Sequence, residues 1–331
     1  MRRQDGAGDV GLIWELLRRM LLIRRVEEAI AEGIESGEVL CPCHLYIGEE
    51  AVAVGICASL RPDDFVFSTH RSHGHYLAKG GDVQALVSEV FCRETGCSRG
   101  WGGSMHVRDA TVGLPGSSAI VAGTIPLAVG AALAFATCHE DRVAVVFFGD
   151  GATNEGVFYE SLNLAALRGL PVVFVCENNL YSTHLPISRC LADTDIAKKG
   201  SVFNIPCEKV DGNDVLAVVE AGRKAVERAR GGGGPALLEC LTYRWRGHVG
   251  PNYDVEKGLR SQTELDSWML RCPIDMLERR MVADGVATVE SLAQMKRAVA
   301  DMVERAVAAA RLAPLPTADG LLLSSRPGVS S

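Results

Sequence analysis

Residues 142–181 read RVAVVFFGDGATNEGVFYESLNLAALRGLPVVFVCENNLY, and this stretch decides the fold. Val143–Phe148 is a short apolar run rich in β-branched and aromatic residues, which predicts a buried strand. A helical pattern follows and ends at Gly169-Leu170-Pro171, with glycine as the C-cap and proline as the stop. Val172–Val175 is a second buried strand. The stretch therefore predicts a βαβ unit with parallel strands and a right-handed crossover.

Polar motifs follow the two strands at the points where the strands end. Gly149-Asp150-Gly151 comes directly after the first strand, and Asn178-Asn179 comes after the second. Open α/β sheets bind ligands at the carboxyl ends of parallel strands. Mg²⁺ prefers oxygen ligands, so the predicted ligands are Asp150, Asn179 and the backbone carbonyl of Tyr181, completed by diphosphate and water. The glycines would let the backbone approach phosphates beside a helix N-terminus.

Asp-Gly alone is also a common hairpin turn, so the first motif has an ordinary interpretation. A helical pattern rather than a strand follows it, and Asn178-Asn179 comes after the next strand. Together these features favour a magnesium–diphosphate site.

The two motifs at this spacing are similar to the thiamine diphosphate signature. From about Leu17 to about Arg280, the chain resembles the α subunit of the E1 component of 2-oxo acid dehydrogenases, of the pyruvate and acetoin type. The resemblance implies an α/β fold with a doubly wound, mostly parallel sheet, helices on both faces and further C-terminal helices. It also implies thiamine diphosphate and Mg²⁺ as cofactors.

The resemblance extends to residues in other parts of the chain. Arg71 matches an arginine that contacts the cofactor diphosphate, and His70 stands where the family often has tyrosine. His44 matches a substrate-side histidine, and the backbone at Ala119 and Val121 matches positions that touch the thiamine. The predicted cofactor-binding residues are His70, Arg71, Ala119, Val121, Gly149, Asp150, Gly151, Ala152, Asn179, Tyr181 and His248.

The segment His70-Arg71-Ser72-His73-Gly74-His75 follows a strand predicted at Asp63–Thr69. It allows three interpretations: three metal-ligating histidines, a loop ordered by backbone hydrogen bonds, or an anion-binding loop in which Arg71 pairs bidentately with a phosphate. The third fits the resemblance best. His73 is a candidate catalytic residue, together with His44 and His248.

His248 follows a strand predicted at Ala236–Tyr243. A lone histidine in such a loop is more often structural, but its Tyr-Arg-x-x-Gly-His pattern matches a family histidine beside the cofactor. It could donate to a developing oxyanion or transfer a proton near neutral pH. Arg246 and Val249 replace a histidine and a regulatory serine of the mitochondrial pyruvate enzyme, so kinase control at Val249 is excluded.

Composition limits the classes of protein. The 331 residues are 47% hydrophobic, which supports a sizeable core. No linker is visible in the middle of the chain, which favours one domain at 11–312 between tails at 1–10 and 313–331 that are predicted to be disordered. The net charge of −7 without a basic cluster argues against nucleic acid. The longest apolar stretch is too short to span a membrane, and the N-terminus lacks a signal-peptide core. Eleven scattered cysteines suit a cytoplasmic protein, and Cys41-Pro42-Cys43 has no second pair at zinc-ligand spacing.

Thiamine enzymes also need a carboxylate against the aminopyrimidine, and we identify no candidate for it in this sequence. In the family this group comes from a β subunit, so the resemblance implies an α₂β₂ heterotetramer that passes an acyl unit to a lipoyl E2 protein. The substrate would be a pyruvate-like 2-oxo acid or acetoin. Two alternatives stay open: a split transketolase-like enzyme that uses another carrier, and a non-catalytic diphosphate-binding regulatory domain.

Overall fold

The computed structural model describes residues 5–320. The strands are β1 Phe65–Ser68, β2 Gly116–Ser117, β3 Ala144–Gly149, β4 Val172–Asn178, β5 Tyr181–Ser182, β6 Leu185–Pro186, β7 Cys207–Asp211 and β8 Ala236–Leu241. The helices are α1 Asp5–Glu35, α2 Glu50–Cys57, α3 Ser72–Ala78, α4 Val83–Val90, α5 Thr124–Thr137, α6 Gly156–Arg168, α7 Ile187–Cys190, α8 Ala197–Ser201, α9 Val215–Arg230, α10 Gln262–Met269, α11 Pro273–Ala283 and α12 Val289–Leu312.

Six strands form one parallel sheet in the order β2-β1-β3-β4-β8-β7. The predicted βαβ unit is confirmed, because β3 and β4 pair in parallel on either side of α6 in the sequence. Gly169 ends α6 in the left-handed conformation with φ of 60°, as predicted for a glycine C-cap.

The central strands bury both faces. Along β3, Val145 and Phe147 contribute to one hydrophobic core, whereas Val146 and Phe148 contribute to the other. The first core includes residues of α1, α2, α9 and α12, and the second includes residues of α5 and α6. Such strands read as continuous apolar runs because neither face meets water. The predicted doubly wound α/β class is confirmed.

This topology gathers the ends of the strands at one edge. Because the six strands are parallel, the segments that follow β1, β3, β4 and β8 all leave the sheet at its carboxyl edge. These segments carry His70, Asp150, Asn179 and His248. Residues far apart in the sequence therefore meet there.

The turn after β3 differs from the prediction. A 3-10 helix at Asp150–Asn154 intervenes, so α6 begins at Gly156 instead of directly after Gly151. The Thr153 hydroxyl donates to the Asp150 carbonyl at 2.8 Å. Short polar side chains make such local hydrogen bonds and compete with a regular helix. The N–H groups nearest Asp150 therefore belong to this tight turn.

The predicted tails fall partly outside the described residues, at 1–4 and 321–331. Helix α1 begins at Asp5, so the tail predicted to be disordered over residues 1–10 is helical from Asp5 onward. The helix is 31 residues long, and extending a formed helix costs less than starting one. The assignment of a single domain to 11–312 stays a prediction. Among the described helices, none has the length and apolarity that crossing a membrane requires.

Gly74 provides a test of packing beneath the carboxyl edge. A Cβ at this position in α3 would lie 2.3 Å from Cδ1 of Tyr46, whose ring is completely buried. We expect Gly74→Ala to lower the free energy of unfolding by about 1–3 kcal/mol, because overpacking forces neighbouring groups to shift. Urea unfolding measures this change. Gly11→Ala in α1 is the control, since a Cβ there meets nothing within 4 Å; an equal effect of both substitutions would contradict the packing argument.

Candidate active site

A cavity of about 190 Å³ opens at the carboxyl edge of the sheet. Its walls come from the segments that follow β1, β2, β3, β4 and β8. The predicted residues that line it are His44, His70, Arg71, Ala119, Val121, Gly149, Asp150, Gly151, Ala152, Asn179, Tyr181 and His248. Of the predicted site residues, His73 alone is absent from the lining.

Asp150 is a cavity residue with a buried carboxyl oxygen that has no partner among the described residues of the protein. Its side chain is only 2% exposed, and its Oδ2 atom is buried without a hydrogen-bond partner. Burial raises the pKa of this carboxyl to about 6. A buried carboxylate without a partner is costly, and a cation would compensate that cost. Asp150 therefore fits the predicted role of a metal ligand.

Asn179 and Tyr181 line the cavity just past the end of β4, the strand that pairs with β3. The Asn179 amide nitrogen donates to Glu49 Oε1 at 3.0 Å, which orients its Oδ1 atom as the free acceptor of the side chain. That oxygen accepts the Tyr181 N–H at 3.3 Å and has a second lone pair for a cation. The Tyr181 hydroxyl donates to Glu264 at 2.7 Å, which anchors the short β5 segment.

The two glycines beside Asp150 differ in what a side chain at their position would contact. At Gly149 an added Cβ would meet nothing within 4 Å, so the backbone faces open space. At Gly151 it would lie 2.3 Å from the Ser182 hydroxyl oxygen. Gly151 is thus required for the approach of the β5 segment, and Gly149 leaves room for a ligand.

Arg71 forms the positively charged part of the wall. The side chain is only 4% exposed, and it donates to the carbonyls of Leu45 at 2.9 Å and His248 at 3.1 Å. Its Nε lies 3.9 Å from Glu49 Oε2. These contacts fix the guanidinium at the cavity and tie the His248 loop to the rest of the site. A bidentate pair with a phosphate stays a prediction.

Three histidines stand together in the cavity. The ring centroids of His44 lie 4.5 Å from His70 and 4.8 Å from His248, and those of His70 and His248 are 5.5 Å apart. Burial, followed by the charge of Arg71, lowers the pKa of each ring, to about 4 for His44, 2 for His70 and 3 for His248. The three imidazoles are therefore neutral near pH 7, where they can accept or donate hydrogen bonds.

His73 does not line the cavity, so the structure does not bring it together with the other predicted site residues, and its catalytic role stays a prediction. Its buried ring contacts Glu27 Oε2 at 3.1 Å and the Ser104 hydroxyl at 3.0 Å. The segment is helical from Ser72, so neither the loop nor the cluster of three metal ligands is correct. His70 precedes this helix, whereas His73 and His75 lie at helical positions that point in different directions. His73 supports the fold beneath the site.

Glu177 and Glu49 were not assigned by sequence reasoning. Glu177 lines the cavity, and its Oε1 atom accepts from the Tyr46 hydroxyl and contacts His75 Nε2 at 3.0 Å. Glu49 is completely buried, and burial raises the pKa of its carboxyl. Charged residues within apolar segments were the available signal. Only the folded chain shows that both carboxyls lie beside Asn179 and Arg71.

Cys41 and Cys43 lie close to this region, with their sulfur atoms 3.8 Å apart. The thiol hydrogen bond from Cys43 lowers the pKa of Cys41, against the effect of burial, and the Ser104 backbone and His73 also lower it. We therefore expect iodoacetamide to alkylate Cys41 about tenfold faster than the exposed Cys138 at neutral pH, as followed by peptide mass spectrometry. Faster modification of Cys138 would contradict the hydrogen-bonded thiolate.

Comparison with protein families gives a match over most of the chain. The family model described as dehydrogenase E1 component matches residues 18–319. Both polar motifs and the whole carboxyl edge of the sheet lie within that range.

Three of the curated relatives match over about nine tenths or more of their own lengths. The α subunit of acetoin:2,6-dichlorophenolindophenol oxidoreductase from Bacillus subtilis (strain 168) is 41% identical over 314 residues, which cover 94% of this chain and 92% of the relative. The α subunit of the pyruvate dehydrogenase E1 component from Porphyra purpurea is 41% identical over 310 residues, covering 91% and 89%. The acetoin-type α subunit from Cupriavidus necator is 40% identical over 325 residues, covering 96% of each chain. Relatives named as acetoin oxidoreductase subunits and a relative named as a pyruvate dehydrogenase subunit thus have similar sequence identity to this chain.

Proposed function

This chain belongs to the dehydrogenase E1 component family, and from that premise we propose that it is the α subunit of a thiamine diphosphate- and Mg²⁺-dependent E1 enzyme. The enzyme decarboxylates a pyruvate-like 2-oxo acid or cleaves acetoin. The observation that carries the cation part of the proposal is the buried, unpartnered Oδ2 atom of Asp150, which faces the same cavity as Asn179.

Three oxygens would hold the Mg²⁺ ion: a carboxylate oxygen of Asp150, the amide oxygen of Asn179 and the carbonyl oxygen of Tyr181. All three residues line the cavity, and oxygen donors of this kind are those that Mg²⁺ prefers. The diphosphate would occupy further coordination positions. The orientation of Asn179 by Glu49 supports this assignment, because it directs the amide oxygen away from that carboxyl.

The anionic end of the cofactor would lie between Arg71 and the turn at Asp150–Asn154. Arg71 is held in place by two carbonyl acceptors, so its remaining N–H groups are oriented before a ligand arrives. The open space at Gly149 leaves room for the diphosphate. When bound, thiamine diphosphate supplies a nucleophilic carbon and an electron sink for cleavage next to a carbonyl group.

His44 and His248 would serve the substrate. Both rings line the cavity, and their lowered pKa values keep them neutral near pH 7. A neutral imidazole donates a hydrogen bond from one nitrogen and accepts a proton at the other. Arg71 holds the His248 carbonyl at 3.1 Å and thereby positions this ring.

The proposal includes a β subunit in an α₂β₂ assembly and a lipoyl E2 protein that accepts the acyl unit. Three apolar side chains beside the cavity mouth and on α5 support a partner surface: Ile120 is 74% exposed, Val121 51% and Leu127 58%. Exposed apolar side chains of this kind are typical of interfaces between subunits. A cytoplasmic location is also proposed, from the scattered cysteines of the sequence.

The decisive assay uses this chain produced together with its β partner, with thiamine diphosphate and Mg²⁺ added. Reduction of 2,6-dichlorophenolindophenol is followed with pyruvate, branched 2-oxo acids, acetoin and a ketose phosphate in turn. We expect turnover of a 2-oxo acid or acetoin, and about a 10²-fold loss in His248→Gln, since glutamine cannot exchange a proton near neutral pH. Activity with the ketose alone would overturn the proposal.

The matched control is His139→Gln. His139 is an exposed histidine just past the end of α5, and it does not line the cavity. Equal losses in both variants would contradict the proposed role of His248.

A further inference from the structure

The histidine trio consists of His44, His70 and His248, three rings of the same cavity of which the proposed function assigns His44 and His248 to the substrate. Each ring offers a nitrogen, and these three nitrogens all lie within 4.8 Å of one another. His44 is only 8% exposed, and its Nδ1 atom has no hydrogen-bond partner. A nearly buried imidazole nitrogen without a partner points to a missing ligand.

We propose that the histidine trio binds one divalent transition-metal ion of the zinc class, at a site separate from the oxygen ligands proposed for Mg²⁺. Imidazole nitrogen suits Zn²⁺, Co²⁺, Ni²⁺ and Cu²⁺, whereas Mg²⁺ prefers carboxylate and carbonyl oxygens. Three histidines leave a coordination position open for water or a small ligand. The two sites therefore differ in ligand class although they share one cavity.

The geometry requires a small adjustment. Histidine nitrogens bind zinc at about 2.0–2.1 Å, which places three such nitrogens about 3.3 Å apart. The three rings belong to different segments, before α2, after β1 and after β8. Each ring can therefore turn about its own side-chain bonds without moving a shared helix or strand.

Arg71 is the main charge that opposes a cation here. Its Nη2 atom lies 3.4 Å from His248 Nδ1 but also donates to the His248 carbonyl at 3.1 Å, so the guanidinium keeps an acceptor when the ring turns. Glu49 lies 3.9 Å from the Arg71 Nε atom, and its Oε2 atom has no hydrogen-bond partner. In its ionised form this carboxyl offsets the positive charge beside the trio.

His70 is the member of the trio that the proposed function does not assign to the substrate. A bound ion would occupy His44 and His248, the two histidines that the proposed function assigns to the substrate. On the basis of that function, a zinc-class ion is an inhibitor of turnover. The binding itself is measured without turnover, so it is tested independently of the reaction.

The test uses the full chain, freed of metals and titrated with Co²⁺ in the presence of excess Mg²⁺, which fills the oxygen site. We expect equilibrium dialysis to give one Co²⁺ per chain, with a visible absorption band of low-coordinate Co²⁺. His70→Tyr is expected to weaken binding at least tenfold, a loss of roughly the size seen when support of a metal site is removed. His44→Gln and His248→Gln should weaken it as well, while His139→Gln should leave it unchanged.

Three results would overturn the site. They are the absence of stoichiometric Co²⁺ binding, equal binding by the wild type and all three trio variants, or an intense thiolate charge-transfer band that disappears in Cys41→Ser. The last result would assign the ion to Cys41 and Cys43. Circular dichroism of each variant establishes that a weakened affinity reflects a lost ligand in a folded chain.

Discussion

Replacement of Asp150 by alanine is expected to abolish Mg²⁺-dependent binding of thiamine diphosphate and to lower turnover by at least about 10²-fold. The carboxyl is 2% exposed at the end of β3, and its Oδ2 atom has no protein partner. No neighbouring side chain is placed to replace its charge at that point, since Glu177 and Glu49 are engaged with other groups. The substitution would remove the only charged group among the three protein ligands proposed for the Mg²⁺ ion.

Asp150→Asn separates binding from folding. A buried carboxylate without a partner costs free energy in the unliganded chain, and an amide of the same size removes that charge. We therefore expect the unliganded variant to unfold at the same temperature as the wild type or higher. The further rise in unfolding temperature that Mg²⁺ and thiamine diphosphate together give the wild type should disappear, because stabilisation by a ligand follows its affinity.

Calorimetric titration with thiamine diphosphate, with and without Mg²⁺, measures the effect directly. Asp301→Asn is the control, because Asp301 is an exposed carboxyl on α12, away from the cavity. Tight Mg²⁺-dependent binding by Asp150→Asn would refute the site. A lowered unfolding temperature of the unliganded variant would show that Asp150 supports the fold instead.

The sequence was sufficient for the part of the fold that local patterns determine. Val143–Phe148 and Val172–Val175 are apolar on both faces because both faces are covered, and such runs are visible without coordinates. Gly149-Asp150-Gly151 and Asn179 were placed correctly because parallel strands end at one edge. These inferences depend only on the order of residues within short segments of the chain.

The remaining errors concern contacts between distant segments. His73 was a candidate catalytic residue from the same short segment as His70, but the helix that begins at Ser72 turns it towards Glu27, and it does not line the cavity. Glu177 was missed because its partners, Tyr46 and His75, lie about a hundred residues or more away in the sequence. The spacing of residues in the sequence does not predict such pairs, since only tertiary packing brings them together. The resemblance to a family supplied His44 and His248, which local patterns could not have selected.

Glu89 is the residue whose substitution should most affect the stability of the site's surroundings. It is completely buried on α4, and its carboxylate accepts four backbone N–H groups. The donors are Ser98 at 2.7 Å and Gly100 at 2.8 Å to Oε2, and Gly102 at 2.7 Å and Gly103 at 3.0 Å to Oε1. Gly100 and Gly103 have φ of 75° and 57°, which glycine adopts easily, and the turns direct successive N–H groups inward.

This loop reaches the cavity through its last residues. The Ser104 hydroxyl lies 3.0 Å from His73 Nε2, and Met105 lines the cavity beside the histidine trio. The Glu89 carboxylate thus holds a glycine-rich segment that has few side chains of its own to order it. Charge-assisted hydrogen bonds are stronger than neutral ones, which explains how one side chain can fix the loop.

We expect Glu89→Gln to lower the free energy of unfolding by roughly 2–5 kcal/mol, because the new amide nitrogen faces two N–H donors that then lack an acceptor. Hydrogen exchange should show lost protection at Ser98, Gly100, Gly102 and Gly103 even under conditions where the central strands remain protected. Urea unfolding gives the global change. Glu94→Gln is the matched control, since Glu94 is exposed a few residues further along. If the two variants were equally stable, the four hydrogen bonds would contribute nothing net, and the order of the loop would have to come from the packing of Met105 and its neighbours.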